Sequence, residues 1–259
     1  MSSGNRVKTA LIDLSGTLHV DDKIIPGAAE ALERLRAAGI QIKFVTNTTK
    51  ESRRLLHERL VSLGFRISLD EIFSSLTAAR SFIEVRNLRP HLMVSEAAME
   101  EFQGLDTTDP NAVLIGLAPE KFDYGPMNEA FRLVLKGALL VAIHKARYYR
   151  TNENLALGPG PFVKALEFAT DKTAEIVGKP EKNFFLTALR QLQARPEDTV
   201  MIGDDVRDDV DGAQQVGIRG ILVQTGKYVH GDEIKIENRP WALVPSFVEA
   251  VDMILNQKN

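Results

Sequence analysis

Apolar positions in this chain come in short blocks that end in polar residues. Residues 7–14 (VKTALIDL) form an almost continuous apolar run closing on a carboxylate, the pattern of a parallel strand buried on both faces. Pro26 then opens a helix in which Ala28, Ala31, Leu32 and Leu35 recur at helical spacing, and Gly39 ends it. A second run, IQIKFVTNT, leads to Thr48 and, three residues on, Glu51, which reads as a capping box ahead of the Leu56, Leu60, Leu63 stripe.

The far end of the chain repeats the alternation. AEIVGKP reads as a strand, about Glu181 to Gln193 as a helix, TVMIGDD as a strand, Asp211 to Val216 as a helix, GILVQTG as a strand, and Pro245 to Leu255 as a closing helix. Alternation of this kind predicts an α/β fold, a Rossmann-like doubly wound parallel sheet covered by helices on both faces. Between the two ends, HLMVS, AVLIG and ALLVAIH are further strand-like runs separated by helical segments. The expected organisation is a core built from residues 1–79 and 177–259, with residues 80–176 inserted as a second α/β layer.

Composition narrows the function without deciding it. An apolar fraction of 44%, 26% charged residues and a formal charge of −3 describe an ordinary globular protein. The 32 basic and 35 acidic residues form no run of like charge, so nucleic acid and membrane surfaces are not expected partners. No cysteine is present, which excludes disulfides, thiolate metal sites and a cysteine nucleophile, and points to the cytoplasm. No stretch approaches the roughly 20 apolar residues of a membrane span, and the first apolar run is too short for a signal-peptide core. A small-molecule or protein partner is expected.

In parallel sheets ligands bind beyond the carboxyl ends of the strands. Four apolar runs end there in chemically useful residues: Asp13, Thr46 with Asn47, Lys179, and Asp204 with Asp205. A nucleophilic carboxylate, a hydroxyl for a phosphoryl oxygen, a lysine to offset negative charge and further carboxylates for a cation together meet the needs of phosphoryl transfer. Two other segments carry less. LGPGP (157–161) reads as a turn before a helix from about Phe162 to Phe168, and QTGK (224–227) lacks the spacing of a nucleotide loop. The five histidines show no ligand spacing, with His19 the nearest in sequence to Asp13.

The ordered set DLSGT, FVTNT, VGKP and GDDVRDD resembles the four motifs of the haloacid dehalogenase-like hydrolase superfamily, and the inserted α/β segment resembles its NagD-like, type IIA group. The resemblance implies a phosphatase in which Asp13 becomes an aspartyl-phosphate. It implies Mg2+ held by Asp13, the Ser15 carbonyl and Asp204, with Asp205 or Asp209 orienting its waters. Thr46, Asn47 and the main chain at Leu14 and Ser15 would bind the phosphoryl group of a small phosphorylated substrate, and Lys179 would neutralise charge. The inserted segment would act as a cap that selects the substrate.

One position departs from the pattern: Ser15 stands where most phosphatases of this kind carry a second aspartate that protonates the leaving group. Two readings stay open here. Either the enzyme acts on good leaving groups, such as pyrophosphate, phosphoramidates, acyl or aryl phosphates, or the chain is a weakly active or inactive binding protein that retains the metal and phosphate site. A dehalogenase is disfavoured by the intact metal motif, and pairing of two copies through the cap also stays open.

Overall fold

The computed structural model describes residues 6–150 and 154–256, with the side chain of residue 150 left aside. The chain divides into two compact units. The first comprises Met1–Thr46, His57–Phe73 and Lys179–Asn259, and the second Asn47–Leu56 and Ser74–Gly178.

The first unit is built on a six-stranded sheet in the order Ala242–Val244, Arg219–Val223, Thr199–Gly203, Thr9–Ile12, Gln41–Thr46, Ile72–Ser74. Thr9–Ile12 lies in the middle and pairs in parallel with Thr199–Gly203 on one side and Gln41–Thr46 on the other. Its residues are all buried, as the unbroken apolar run requires. The chain builds outward first on one side of this strand and later on the other, so the strand order reverses beside it. The crevice at such a reversal is where open parallel sheets bind ligands, and Asp13 and Asp204 follow the two strands that flank it.

Helices cover the sheet as the spacing predicts. Ala28–Ala37 buries Ala28, Ala31, Leu32 and Leu35 and packs on the closing helix Phe247–Asn256, which buries Phe247, Ala250, Val251 and Ile254. Lys182–Leu192 buries Phe184, Phe185, Ala188 and Leu189. Phe184 meets Phe73 at 4.9 Å between ring centroids, anchoring the helix that begins just after Lys179.

The second unit has a four-stranded sheet of its own, in the order Glu175–Ile176, Leu139–Ala142, Ala112–Ile115, Pro90–Met93, with every pairing parallel. One face is covered by apolar residues of the helix Ser75–Val85 and of the turns 96–102, the other by those of Tyr124–Leu135 and Gly160–Thr170. A hairpin pairs Tyr148–Arg150 with Leu155–Leu157. Among the described residues no helix is long and apolar enough to cross a membrane.

The α/β architecture agrees with the sequence reading, but three local expectations do not. First, IVGKP is not a strand of the first sheet: Glu175–Ile176 pairs with Leu139–Ala142 in the second, and Val177 and Gly178 extend that pairing by donating to the carbonyls of Ala142 and Ile143. A buried apolar run says that some sheet contains it, not which one. Second, the helix after Thr46 starts at Arg53, not after Thr48. Ser52 caps it, its Oγ accepting from the Leu55 N–H, and Glu100 and Glu101 fix the preceding turn through Ser52 Oγ and the Arg53 N–H. Third, the helical turn of the GDDVRDD segment begins at Val206, well before Asp211, because Asp205 accepts from the N–H groups of Arg207 and Asp208.

Glu167 gives the second unit a pH dependence. Burial alone would raise its pKa, but hydrogen bonds from Lys145 and Lys164, and from the Ala174 N–H, bring it down to about 2. The unfolded value is about 4.3. The stabilisation is therefore complete above that value and is lost as pH falls through the folded one. Glu167→Gln should lower Tm at pH 7 by an amount that shrinks as pH drops from about 4.3 towards about 2. Calorimetric melts of both proteins across that range check this, and a gap independent of pH would refute it.

Candidate active site

Asp13 leaves the end of the central strand with its N–H donating to Ile202 O at 2.9 Å, which fixes the backbone from which its carboxylate projects. The next residues turn sharply: Leu14 O accepts from Thr17, Leu18 and His19, and Gly16, at φ 94°, donates to His19 O at 2.7 Å. Asp13 is 5% exposed. Its Oδ1 accepts from Lys179 Nζ at 2.6 Å, and its Oδ2 is 3.4 Å from Thr17 Oγ1.

Lys179 is the hub. Its ammonium also donates to Asp209 Oδ1 at 2.6 Å and to Val45 O at 3.1 Å, in a position only 2% exposed. Burial would lower its pKa, but the charges of Asp13 and Asp209 outweigh that and hold it above its ordinary value. The lysine is thus a fixed cation. Asp209 in turn accepts from the Asp205 N–H through Oδ2 at 3.1 Å, so both its oxygens are engaged.

Carboxylate oxygens of Asp13, Asp204 and Asp209 lie within 4.8 Å of one another, and all three residues are buried. Their proximity is electrostatically costly. Burial, with the neighbouring charges of Asp13 and Asp209, raises Asp204 well above its ordinary value despite Lys227. Burial likewise pushes Asp209 up to about 6 against the pull of Lys179, and Asp208 up to about 7. Asp205 goes the other way: burial would raise it, but Lys227 and the amides of Asp208 and Arg207 hold it at about 2.

The structure therefore brings together Asp13, Lys179, Asp204, Asp205 and Asp209. Thr46 is buried at the end of the adjacent strand, one residue beyond the carbonyl that Lys179 touches. Ser15 is exposed, whereas the Leu14 side chain is fully buried, so any part Leu14 takes falls to its main chain. Asn47 belongs to the second unit, where the absence of a Cβ at Gly178 leaves room for its Oδ1. His19 is buried, with Nδ1 2.7 Å from Asp21 O.

The sequence reads QTGK only as a nucleotide-loop fragment without the right spacing, but the structure gives it a place at the site. The Thr225 hydroxyl donates to Gly16 O at 2.5 Å, the Lys227 N–H donates to Asp204 Oδ2 at 2.7 Å, and Lys227 Nζ donates to Asp205 Oδ2 at 2.8 Å. The signal was available, since GILVQTGK is another apolar run ending in polar residues at the same edge of the sheet.

Residues 10–108 match the family described as haloacid dehalogenase-like hydrolase, and residues 176–250 a second hydrolase description of the same kind. A rat protein named haloacid dehalogenase-like hydrolase domain-containing protein 2 is 61% identical over 98% of each chain. The chain belongs to the haloacid dehalogenase-like hydrolase family. A zebrafish (Danio rerio) relative named phospholysine phosphohistidine inorganic pyrophosphate phosphatase is 40% identical over 97% of this chain and 96% of its own. Among solved structures, p-nitrophenyl phosphatase from Archaeoglobus fulgidus is similar with a TM-score of 0.89 and 26% identity, covering 96% of this chain and 99% of that one.

The Mg2+ expected for this family fits the donor set. Asp204 Oδ1 is buried and accepts no hydrogen bond, an arrangement that costs free energy unless a cation meets it. The donors are hard carboxylate oxygens, which suit Mg2+. Space is guarded by glycine: a Cβ at Gly16 or Gly226 would overlap the Asp204 carboxylate, and one at Gly203 would overlap that of Asp209. Gly226→Ala should weaken Mg2+ binding by at least about ten-fold in calorimetric titration. Gly39→Ala, at φ 74° but in open space, is the control; it should lose about 1–2 kcal/mol of stability and bind Mg2+ as wild type does.

Proposed function

We propose that this hydrolase is a Mg2+-dependent phosphatase that works through an aspartyl-phosphate on Asp13. The observation that carries the reading is the Asp13 carboxylate gripped by the buried Lys179 beside an Asp204 oxygen with no hydrogen-bond donor. Asp13 attacks phosphorus, the bond from phosphorus to the leaving group breaks, and the leaving group takes a proton from water. A second water then attacks phosphorus, phosphate departs, and the Asp13 carboxylate is regenerated. Lys179 holds Asp13 in place and offsets the negative charge that gathers on the transferred group.

Bound Mg2+ would supply charge neutralisation at the phosphoryl oxygens; Asp13, Asp204 and the Ser15 carbonyl would hold it, with Asp205 and Asp209 fixing their surroundings. Thr46, Asn47 and the main chain at Leu14 and Ser15 are assigned to the phosphoryl group. Residues 80–176 are assigned as the cap that selects the substrate, and the absence of cysteine supports a cytoplasmic enzyme.

Ser15 sets the substrate class. A serine hydroxyl is a poor acid near neutral pH, so the proton that other phosphatases supply there is missing. We infer substrates whose leaving groups need little protonation, phosphoanhydrides and phosphoramidates before alkyl phosphomonoesters. The names of the phosphatases among the relatives, with phospholysine, phosphohistidine, pyrophosphate and p-nitrophenyl phosphate in them, support this direction.

Asp13→Asn should abolish turnover of pyrophosphate, phosphoramidate and p-nitrophenyl phosphate and leave no acid-stable, hydroxylamine-sensitive phosphate on the protein. Wild-type kcat/KM should fall steeply as the leaving group becomes more basic. Ser15→Asp should flatten that slope and raise alkyl phosphate turnover by roughly 10²-fold. Steady-state kinetics over a series of esters reads all of these. Activity surviving in Asp13→Asn, or a flat wild-type slope, would remove the assignment, and a phosphate burst without turnover would favour a binding role.

A further inference from the structure

The QTGK segment, which resembles no complete nucleotide loop, is clipped to the site at three points: Thr225 Oγ1 to Gly16 O, the Lys227 N–H to Asp204 Oδ2, and Lys227 Nζ to Asp205 Oδ2. Two glycines permit the approach. A Cβ on Gly226 would overlap both Asp204 Oδ2 and Gly16 Cα, and one on Gly16 would overlap Asp204. The consequence is asymmetric for the two oxygens of Asp204. Oδ2 is taken by a main-chain donor at 2.7 Å, while Oδ1, equally enclosed, accepts nothing.

We propose that the Lys227 main-chain N–H makes Asp204 a one-oxygen ligand and thereby sets the preference of the site for Mg2+ over Ca2+. This rests on the Mg2+-dependent reading above. Mg2+ demands near-octahedral coordination by single oxygens, whereas Ca2+ takes more ligands and readily accepts both oxygens of a carboxylate. Holding Oδ2 on an amide removes the second oxygen that Ca2+ would use. The ammonium of Lys227 donates its hydrogen bond to Asp205 and reaches Asp204 through its charge alone, which bears on both cations alike, so the amide and the side chain of one residue are separable in their effect on the ratio.

The test is calorimetric titration of the metal-free, full-length protein with MgCl2 and, separately, with CaCl2, without substrate. Wild type should bind Mg2+ more tightly. An amide-to-ester replacement at position 227, which removes only that N–H, should shift the Mg2+/Ca2+ affinity ratio towards Ca2+ by about ten-fold or more. Lys227→Pro, which also lacks the N–H, should shift it the same way and serves where the ester protein folds poorly. Lys227→Met keeps the N–H and should move both affinities together, leaving the ratio near that of wild type.

An ester variant with the wild-type ratio, or a Lys227→Met shift as large as that of the ester, overturns the inference. So does a wild type without preference for Mg2+. A wild type that binds neither cation overturns the metal-dependent phosphatase reading along with it, which separates the two failures.

Discussion

The carboxyl edge of the first sheet is organised around one buried ammonium. Lys179 Nζ touches Asp13 at the end of the central strand, Val45 O near the end of the next strand, and Asp209 in the turn after Thr199–Gly203. It also begins the connection into the helix Lys182–Leu192, so a single group ties four chain segments together. Such a cluster is poor value as stability alone, because taking charges out of water costs about as much as their attraction returns. Its worth is positional: without the lysine, two buried carboxylates would repel each other, a loss on the order of 3–5 kcal/mol. Asp13 is held where the fold needs the lysine.

The carboxylates are nonetheless crowded. Asp13, Asp204, Asp205, Asp208 and Asp209 crowd around Lys179 and Lys227, and the crowding shows in the raised Asp204, Asp208 and Asp209. Raised carboxyl groups stabilise the folded chain at low pH and cease to do so as pH rises through their folded values. Near neutrality the site therefore stores electrostatic strain, which a bound cation would relieve. Glycines at 16, 203 and 226 allow the compression, because any side chain there would force the carboxylates apart.

Much of this was readable in the chain, for a physical reason. Strands buried on both faces show as unbroken apolar runs, and a polar residue ending such a run has one place to be, so the positions of Asp13, Thr46 and Asp204 at the carboxyl edge were legible from pattern alone. Lys179 was found by the same rule for the wrong reason, since its run belongs to the second sheet and the lysine reaches the site from a connection. Strand pairing is a long-range choice that a local pattern does not encode. The Thr48 capping box failed for a related reason: Glu100 and Glu101, distant in sequence, fix Ser52 and Arg53 and so decide where the helix begins. The run before Lys227 pointed to the same edge of the sheet, but the contact at Asp204 is made by the Lys227 main-chain N–H, and a main-chain donor leaves no mark in residue type.

Ser15 is where sequence carries more than geometry. Its exposed side chain alters nothing in the buried network, because Asp13 is held by Lys179 and Thr17, and Asp204 by Lys227. The buried network proposed to accept a phosphoryl group is thus physically separate from position 15, and a substitution there spares it. A carboxylic acid at that position would add another negative charge to an edge already short of cations. A serine relaxes that burden and, on the proposed reading, leaves the chemical demand to the substrate's leaving group. The residue proposed to narrow what the site hydrolyses is thus also one that eases its electrostatics.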